Sequence, residues 1–401
     1  MHYYFPDHTA PLVAAIAAKI QSSPGGQIPF AEYMAEALYH PQHGYYASQT
    51  QTVGFRGDFI TSPHLGPDFG QRLAVQFADC WQTLNRPDPF DLVEVGPGQG
   101  ILAQQILHHL QTQFPDCFAA SRYTLVEISP VLIAAQQRRL GPLIAAGAVV
   151  QWQSLDQIPL DSLMGCVFSN ELIDALPVHL VEVTESGLQE CWVALDYGED
   201  GSVQGFCDRI APPSTPRLTQ YFQDLDLALT PDTYPLGYRT EVNLAAQDWL
   251  HDIAQRLHQG YVLTIDYGYP AHRYYSPARA QGTLQAYSRH AHHNDPYAYI
   301  GQQDLTAHVN FTALEQWGEQ VRLKKIGFIP QGLFLMALGL GDAIAALSDP
   351  SQTDLQQVIQ RRDALHQLIN PMGLGNFGVL VQAKGIDKDS PPLKGLTVPG
   401  L

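Results

Sequence analysis

The sequence predicts an α/β fold with a doubly wound, mostly parallel sheet, because short apolar strands alternate with helices and a glycine-rich turn follows the first strand. The predicted strands are Asp91–Val95, Tyr123–Glu127, Ala148–Trp152, Cys166–Ser169 and Tyr261–Asp266. Helical spacing of apolar residues lies between them, at Ile101–Gln111, Pro130–Leu140 and Asn243–His258. Because the carboxyl ends of parallel strands meet at one edge of a sheet, we expect the functional site there.

The chain divides into three predicted parts. Residues 1–88 carry helical patterns and are predicted to form an N-terminal helical segment that acts as a lid. Residues 89–385 form the main domain, with an insertion at about 178–258 that begins with a β-hairpin and a His- and Tyr-rich loop at about 267–311. Residues 386–401 are rich in proline and glycine and are predicted to be a flexible tail.

Composition and charge restrict the function. The chain has 39 acidic against 22 basic residues, a formal charge of −17, so it repels phosphate backbones and nucleic acid is not expected as a partner. No apolar run is long enough to span a bilayer. Five scattered cysteines without a Cys-x-x-Cys pair favour a reducing, cytoplasmic compartment and no metal site.

The turn after the first strand is the candidate cofactor site. Its glycines let the backbone approach a ligand closely, because glycine lacks a Cβ atom and accepts positive φ. The spacing is Gly-x-Gly-x-Gly, whereas dinucleotide-binding folds favour Gly-x-Gly-x-x-Gly. Glu94 precedes the turn and suits a ligand with an ammonium and a sulfonium better than a pyrophosphate. Glu127 ends the second strand, where a carboxylate can accept both hydroxyls of an adenosine ribose.

These observations predict S-adenosylmethionine as the cofactor, with an NAD(P)-dependent oxidoreductase as the alternative on the same fold. Ser154 and Leu155 follow the third strand and are placed to flank the adenine. The candidate cofactor-binding residues from this pattern are Glu94, Gly96, Pro97, Gly98, Gly100, Glu127, Ser154 and Leu155.

Several separate motifs resemble those of the MidA-like methyltransferases, a family whose mitochondrial members assist assembly of respiratory complex I. The matching motifs are Tyr33–Pro41, Gly44–Tyr46, Gly57–Pro63, Glu94–Gly100, Ser169–Pro177, Asp266–Gly268, Gly282–Leu284 and Asp304–Phe311. The sequence departs from the family at Gln281, where arginine is usual, and at Asn310, where aspartate is usual.

The resemblance implies a Rossmann-like class I methyltransferase that uses S-adenosylmethionine. It also implies a protein arginine substrate, with a subunit of an NADH-dehydrogenase-like complex as the candidate partner. On resemblance alone, Asp58, Thr61 and Pro63 belong beside the cofactor.

The candidate catalytic residues follow the fourth strand. Glu171 and Asp174 can hold a guanidinium in a bidentate grip, and Asn170 can bond the substrate or the methionine part of the cofactor. The alternative is that this segment only caps a helix. His308, in a motif with Asp304, is a candidate proton acceptor or a structural histidine.

Two further alternatives stay open from the sequence. The protein could be a non-catalytic assembly factor with a vestigial cofactor site, or a methyltransferase for small molecules with a narrower cleft.

Overall fold

The structure is a computed structural model that describes residues 10–48, 61–288, 291–347, 355–387 and 390–397. The α-helices of these residues are α1 (Ala10–Ser22), α2 (Phe30–Tyr39), α3 (Tyr45–Ser48), α4 (Asp68–Thr83), α5 (Ile101–Gln113), α6 (Pro115–Ala120), α7 (Pro130–Ala145), α8 (Pro216–Asp224), α9 (Leu244–Arg256), α10 (Ala271–Tyr274), α11 (Phe311–Gln320), α12 (Gln331–Ala337), α13 (Leu340–Ala346) and α14 (Leu355–Ile369). The strands are β1 (Gln27–Pro29), β2 (Phe90–Val95), β3 (Ser121–Val126), β4 (Val149–Trp152), β5 (Leu163–Asn170), β6 (His179–Thr184), β7 (Gly187–Tyr197), β8 (Val203–Ala211), β9 (Arg239–Val242), β10 (Leu257–Asp266), β11 (Gly268–Tyr269), β12 (Gln285–Ser288), β13 (Ala291–His293), β14 (Asp304–Thr306), β15 (Val309–Asn310), β16 (Lys324–Pro330) and β17 (Gly378–Lys384).

A seven-stranded sheet forms the centre of the molecule, in the order β16-β17-β10-β5-β2-β3-β4. The five strands from β10 to β4 are parallel, and β17 runs antiparallel to both β10 and β16. Every residue of β2 is buried, because a hydrophobic core lies on each face of the sheet. On one face, the rings of Phe77 and Phe168 pack with centroids 4.7 Å apart. The predicted doubly wound α/β fold is confirmed.

A second, antiparallel sheet is built mainly from the insertion after β5. Its order is β1-β7-β6-β9, with β8 also paired to β7, and β6 and β7 form the predicted hairpin. The N-terminal segment contributes β1, whose Ile28 pairs with Val193. A strand of three residues is too short to show alternation in the sequence, which is why the sequence predicts only helices for the N-terminal segment. The N-terminal segment and the insertion therefore share one sheet and one core.

The His- and Tyr-rich segment contains more structure than a loop. It holds α10, the pair β11–β15 and a three-stranded sheet in the order β13-β12-β14. These strands have two to four residues, which is below the length at which alternation can be recognised.

The tail also differs from its prediction. Leu393 is buried, and the amide of Gly395 donates to Gln76 Oε1 at 2.8 Å. The described part of the tail, residues 390–397, is thus packed against α4 and is not a free extension. Among the described residues, no helix has the length and apolar character needed to cross a bilayer.

Candidate active site

A cleft of about 880 Å³ opens at the carboxyl ends of the parallel strands. Most predicted site residues line it, and they are Thr61, Pro63, Glu94, Gly96, Pro97, Gly98, Glu127, Ser154, Leu155, Asn170, Glu171 and Asp174. Gly100 and His308 are not among its lining residues. Asp58 lies outside the described residues. Most of the residues predicted from the sequence therefore lie around one pocket.

The glycine turn forms the floor of the cleft. Gly96, Gly98 and Gly100 have φ of 70°, 51° and 72°, in the left-handed region that favours glycine. A Cβ on Gly96 would lie 2.8 Å from Leu172 Cδ1, whereas a Cβ on Gly98 would meet no atom within 4 Å. The open space at Gly98 belongs to the cleft, so this position lets a ligand approach the backbone. Gly100 instead is the N-cap residue of α5, so its role differs from the one predicted.

Glu94 is buried, and its Oε2 accepts a hydrogen bond from the Tyr123 hydroxyl at 2.7 Å. Burial raises the pKa of Glu94 to about 7. Such a carboxyl group gains from a cationic neighbour, because the neighbour stabilises its charged form.

Glu127 is oriented by the chain that follows it. Its Oε1 accepts hydrogen bonds from the amides of Ile128 and Ser129 at 2.8 and 2.9 Å. Ile128, which the sequence analysis missed, is 69% exposed at the rim of the cleft. The loop with Thr61 and Pro63 is held beside the cleft by Gln105, whose Nε2 donates to the Pro63 carbonyl at 2.9 Å.

The far end of the cleft is acidic. Glu171 has φ of 51°, and burial together with the charge of Asp174 raises its pKa to about 8. Asp174 is buried with a pKa raised to about 6 by burial, and the Tyr267 hydroxyl donates to its Oδ2 at 2.5 Å. Asp266 lies behind it and accepts from the amide of Ile173 at 2.9 Å, which fixes the segment that carries Asp174.

A third carboxylate that lines this end of the cleft is Asp304. Tyr46 of the N-terminal segment donates to its Oδ1 at 3.0 Å, and both residues line the cleft. The sequence predicts Asp304 only as a partner of His308, because nothing in a linear pattern connects α3 with β14.

Two acceptor atoms in this region, Asn170 Oδ1 and Asp174 Oδ1, are buried without a hydrogen-bond partner. No lysine or arginine occurs among the described residues that line the cleft. A second cavity of about 720 Å³ at the opposite end of β10 contrasts with it, because Arg322, Lys324, Lys325 and Lys384 line that cavity. The cleft at the carboxyl ends of the strands therefore suits a cationic ligand with several hydrogen-bond donors, whereas the cavity lined by lysine and arginine does not.

His308 lies behind the cleft wall. Its ring contacts those of Tyr267 and Tyr269 at 5.1 Å, and burial lowers its pKa to about 4. A neutral histidine outside the lining cannot contact a ligand in the cleft directly. The geometry leaves it a role in positioning Tyr267.

Comparisons with known proteins agree with this site. The sequence model of a family described as S-adenosyl-L-methionine-dependent methyltransferase matches residues 72–329, more than half of the chain. The chain belongs to this methyltransferase family. A solved structure from Burkholderia thailandensis, bound to S-adenosyl-homocysteine, is 34% identical, with a TM-score of 0.84 over 98% of this chain and 96% of that one.

Curated relatives of this methyltransferase are more distant. One is "Protein arginine methyltransferase NDUFAF7 homolog, mitochondrial" of Drosophila melanogaster, 29% identical over 94% of this chain and 85% of its own length. Another is the human "Protein arginine methyltransferase NDUFAF7, mitochondrial", also 29% identical, over 92% of this chain and 83% of its own length.

The cofactor of the methyltransferase is therefore S-adenosylmethionine, as predicted, and the dinucleotide alternative is set aside. The cleft fits it on its own evidence: open space at Gly98, a buried acid at Glu94, an oriented acid at Glu127 and no lysine or arginine among the described lining residues. The residues that would hold its adenosine part are Glu127, Ile128, Ser154 and Leu155.

The raised pKa of Glu171 predicts a pH-dependent stability effect. The folded protein holds this proton up to about pH 8, whereas the unfolded chain releases it at the ordinary pKa of 4.5. Wild-type stability therefore falls as the pH rises between these values. We expect Glu171→Gln to raise the Tm, by an amount that grows from pH 5 to pH 8 and then stays level. Calorimetric scans across this range measure it.

Glu185→Gln is the matched control, because Glu185 is exposed in the turn between β6 and β7. The control should follow wild type at every pH. A Tm difference for Glu171→Gln that is the same at pH 5 and pH 8 would contradict the raised pKa of Glu171.

Proposed function

We propose that this methyltransferase methylates an arginine side chain of a protein. The observation that carries the proposal is the acidic end of the cleft, where Glu171 lies beside two acceptor atoms without hydrogen-bond partners, Asn170 Oδ1 and Asp174 Oδ1. An arginine guanidinium presents five N–H donors in a plane and no acceptor, so it complements this wall. A lysine ammonium is a compact point charge and could not form the planar, two-pronged hydrogen bonds that a guanidinium forms with carboxylates.

The residues of the cleft have distinct tasks in the proposed reaction. S-adenosylmethionine supplies an electrophilic methyl group when it is bound. Glu171 and Asp174 hold the guanidinium and keep its charge on the nitrogens that do not react. Burial raises the pKa of Glu171 to about 8 in the free protein, and a bound guanidinium lowers it again by stabilising the carboxylate. That carboxylate can then accept the proton that the substrate nitrogen loses on methyl transfer. Tyr267 keeps one oxygen of Asp174 occupied, so that the other faces the substrate.

The names of the curated relatives support a protein arginine substrate. The motifs shared with the MidA-like family extend the proposal to a subunit of an NADH-dehydrogenase-like complex as the partner.

Methyl transfer into a proteome tests the proposal. A proteome from cells that lack this protein is incubated with the purified protein and isotope-labelled S-adenosylmethionine, and labelled peptides are mapped by mass spectrometry. We expect label on arginine nitrogens, and none with the Gly98→Val protein. Label confined to lysine or to small molecules would refute the substrate class. Cofactor binding without any labelled product would favour the non-catalytic assembly factor.

A further inference from the structure

Gln136 on α7 is a fully buried polar residue that lies between three parts of the cofactor site. Its Nε2 donates to the Gly98 carbonyl at 2.7 Å and to Glu127 Oε2 at 3.3 Å. Its Oε1 accepts from Trp152 Nε1 at 2.8 Å. One amide thus connects the glycine turn after β2, the acid after β3 and the end of β4.

Only one orientation of this amide satisfies its neighbours. The indole of Trp152 can only donate, whereas a carbonyl and an ionised carboxylate can only accept. If the amide were rotated by half a turn, its oxygen would face two acceptors and its NH₂ group would face a donor. Trp152 therefore determines which end of Gln136 points to Gly98 and Glu127.

The third glycine of the turn allows this arrangement. A Cβ on Gly100 would lie 3.0 Å from Gln136 Cγ, so a larger residue would push Gln136 away from the turn. This close contact explains why the N-cap residue of α5 is a glycine although it does not line the cleft.

We propose that Gln136 is a positioning residue for S-adenosylmethionine, which fixes the Gly98 turn and the Glu127 carboxylate relative to each other before the cofactor binds. Groups that are already in place bind a ligand more tightly, because no ordering is needed at the moment of binding. The competing explanation is that the amide only satisfies a buried position, in which case its loss would lower stability and leave affinity unchanged.

Calorimetric titration with S-adenosyl-homocysteine separates the two explanations. In Gln136→Met the side chain keeps its length and loses its hydrogen bonds, and we expect binding to weaken by about tenfold at pH 8. The defect should be larger at pH 6, because burial raises the pKa of Glu127 and the hydrogen bond from Gln136 opposes that rise, so its loss lets the carboxyl protonate more readily.

Gln137→Met is the matched control, since Gln137 is the exposed neighbour on the same helix. It should bind like wild type at both pH values. An affinity of Gln136→Met within about twofold of wild type at both pH values, with a lowered Tm, would overturn the proposal.

A second variant keeps the test decisive if Gln136→Met does not fold. Trp152→Phe preserves an aromatic ring but removes the indole donor and part of the ring volume, so nothing holds the amide of Gln136 in one orientation. We expect S-adenosyl-homocysteine to bind about threefold more weakly to it. Unchanged affinity in this variant would contradict the positioning role.

Discussion

Gly98→Val should abolish cofactor binding. The residue has φ of 51°, where a β-branched side chain is strained, and its new Cβ would project into the open space of the cleft. Strain and blocked approach act together, so we expect affinity for S-adenosyl-homocysteine to fall by more than about 100-fold, which equals about 2.7 kcal/mol. Isothermal titration calorimetry on the purified variant measures this loss.

Gly147→Val separates the two causes. Gly147 also has positive φ, at 103°, and a Cβ there meets no atom within 4 Å, but the residue lies between α7 and β4 and does not line the cleft. We expect this control to lose stability and to bind the cofactor normally. Wild-type affinity in Gly98→Val would mean that the glycine turn is not the binding site.

Glu171→Gln should remove methyl transfer while cofactor binding stays nearly intact. The amide retains the shape of the side chain but replaces one acceptor with a donor, which would face the N–H groups of the bound guanidinium. Hydrogen bonds to charged groups contribute about 1.5–3 kcal/mol each, so transfer should fall by about 100-fold or more. The rate of methyl transfer is measured under single-turnover conditions with the substrate protein identified in the proteome experiment. The affinity for the cofactor is measured by calorimetry.

Glu185→Gln again serves as the control, because it makes the same chemical change at an exposed turn. It should transfer methyl groups at the wild-type rate. Turnover retained in Glu171→Gln would take Glu171 out of the mechanism, and a parallel loss of cofactor affinity would mean that the carboxylate serves the cofactor and not the substrate.

The central fold was predictable because its strands are buried and its helices are amphipathic. β2, β3, β5 and β10 are short apolar runs, each close to the range predicted from the sequence. The edge strand β16 was missed, since its first three residues, Lys324 to Ile326, are exposed and show no alternation. The β1–β7 pairing joins residues far apart in the chain, and no local pattern reports it.

The site was predictable where it follows strands and was missed where it depends on contacts between distant segments. Glu94, Glu127 and Glu171 stand at strand ends, so the parallel sheet alone brings them together. Gln136 and Tyr46 reach the site from a helix interior and from the N-terminal segment, through bonds that only the folded chain reveals. His308 was predicted either as a proton acceptor or as a structural histidine, and its ring packs against Tyr267 outside the lining of the cleft. A motif position alone could not decide between these two roles.

The central claim is that the glycine turn and the two acids beside it form the S-adenosylmethionine pocket, and hydrogen–deuterium exchange tests it most directly. Exchange is compared with and without saturating S-adenosyl-homocysteine. The account predicts new protection in residues 94–101, 127–132 and 154–156, which surround the cleft. Protection centred on the cavity of Lys324, Lys325 and Lys384, with none in the glycine turn, would contradict it.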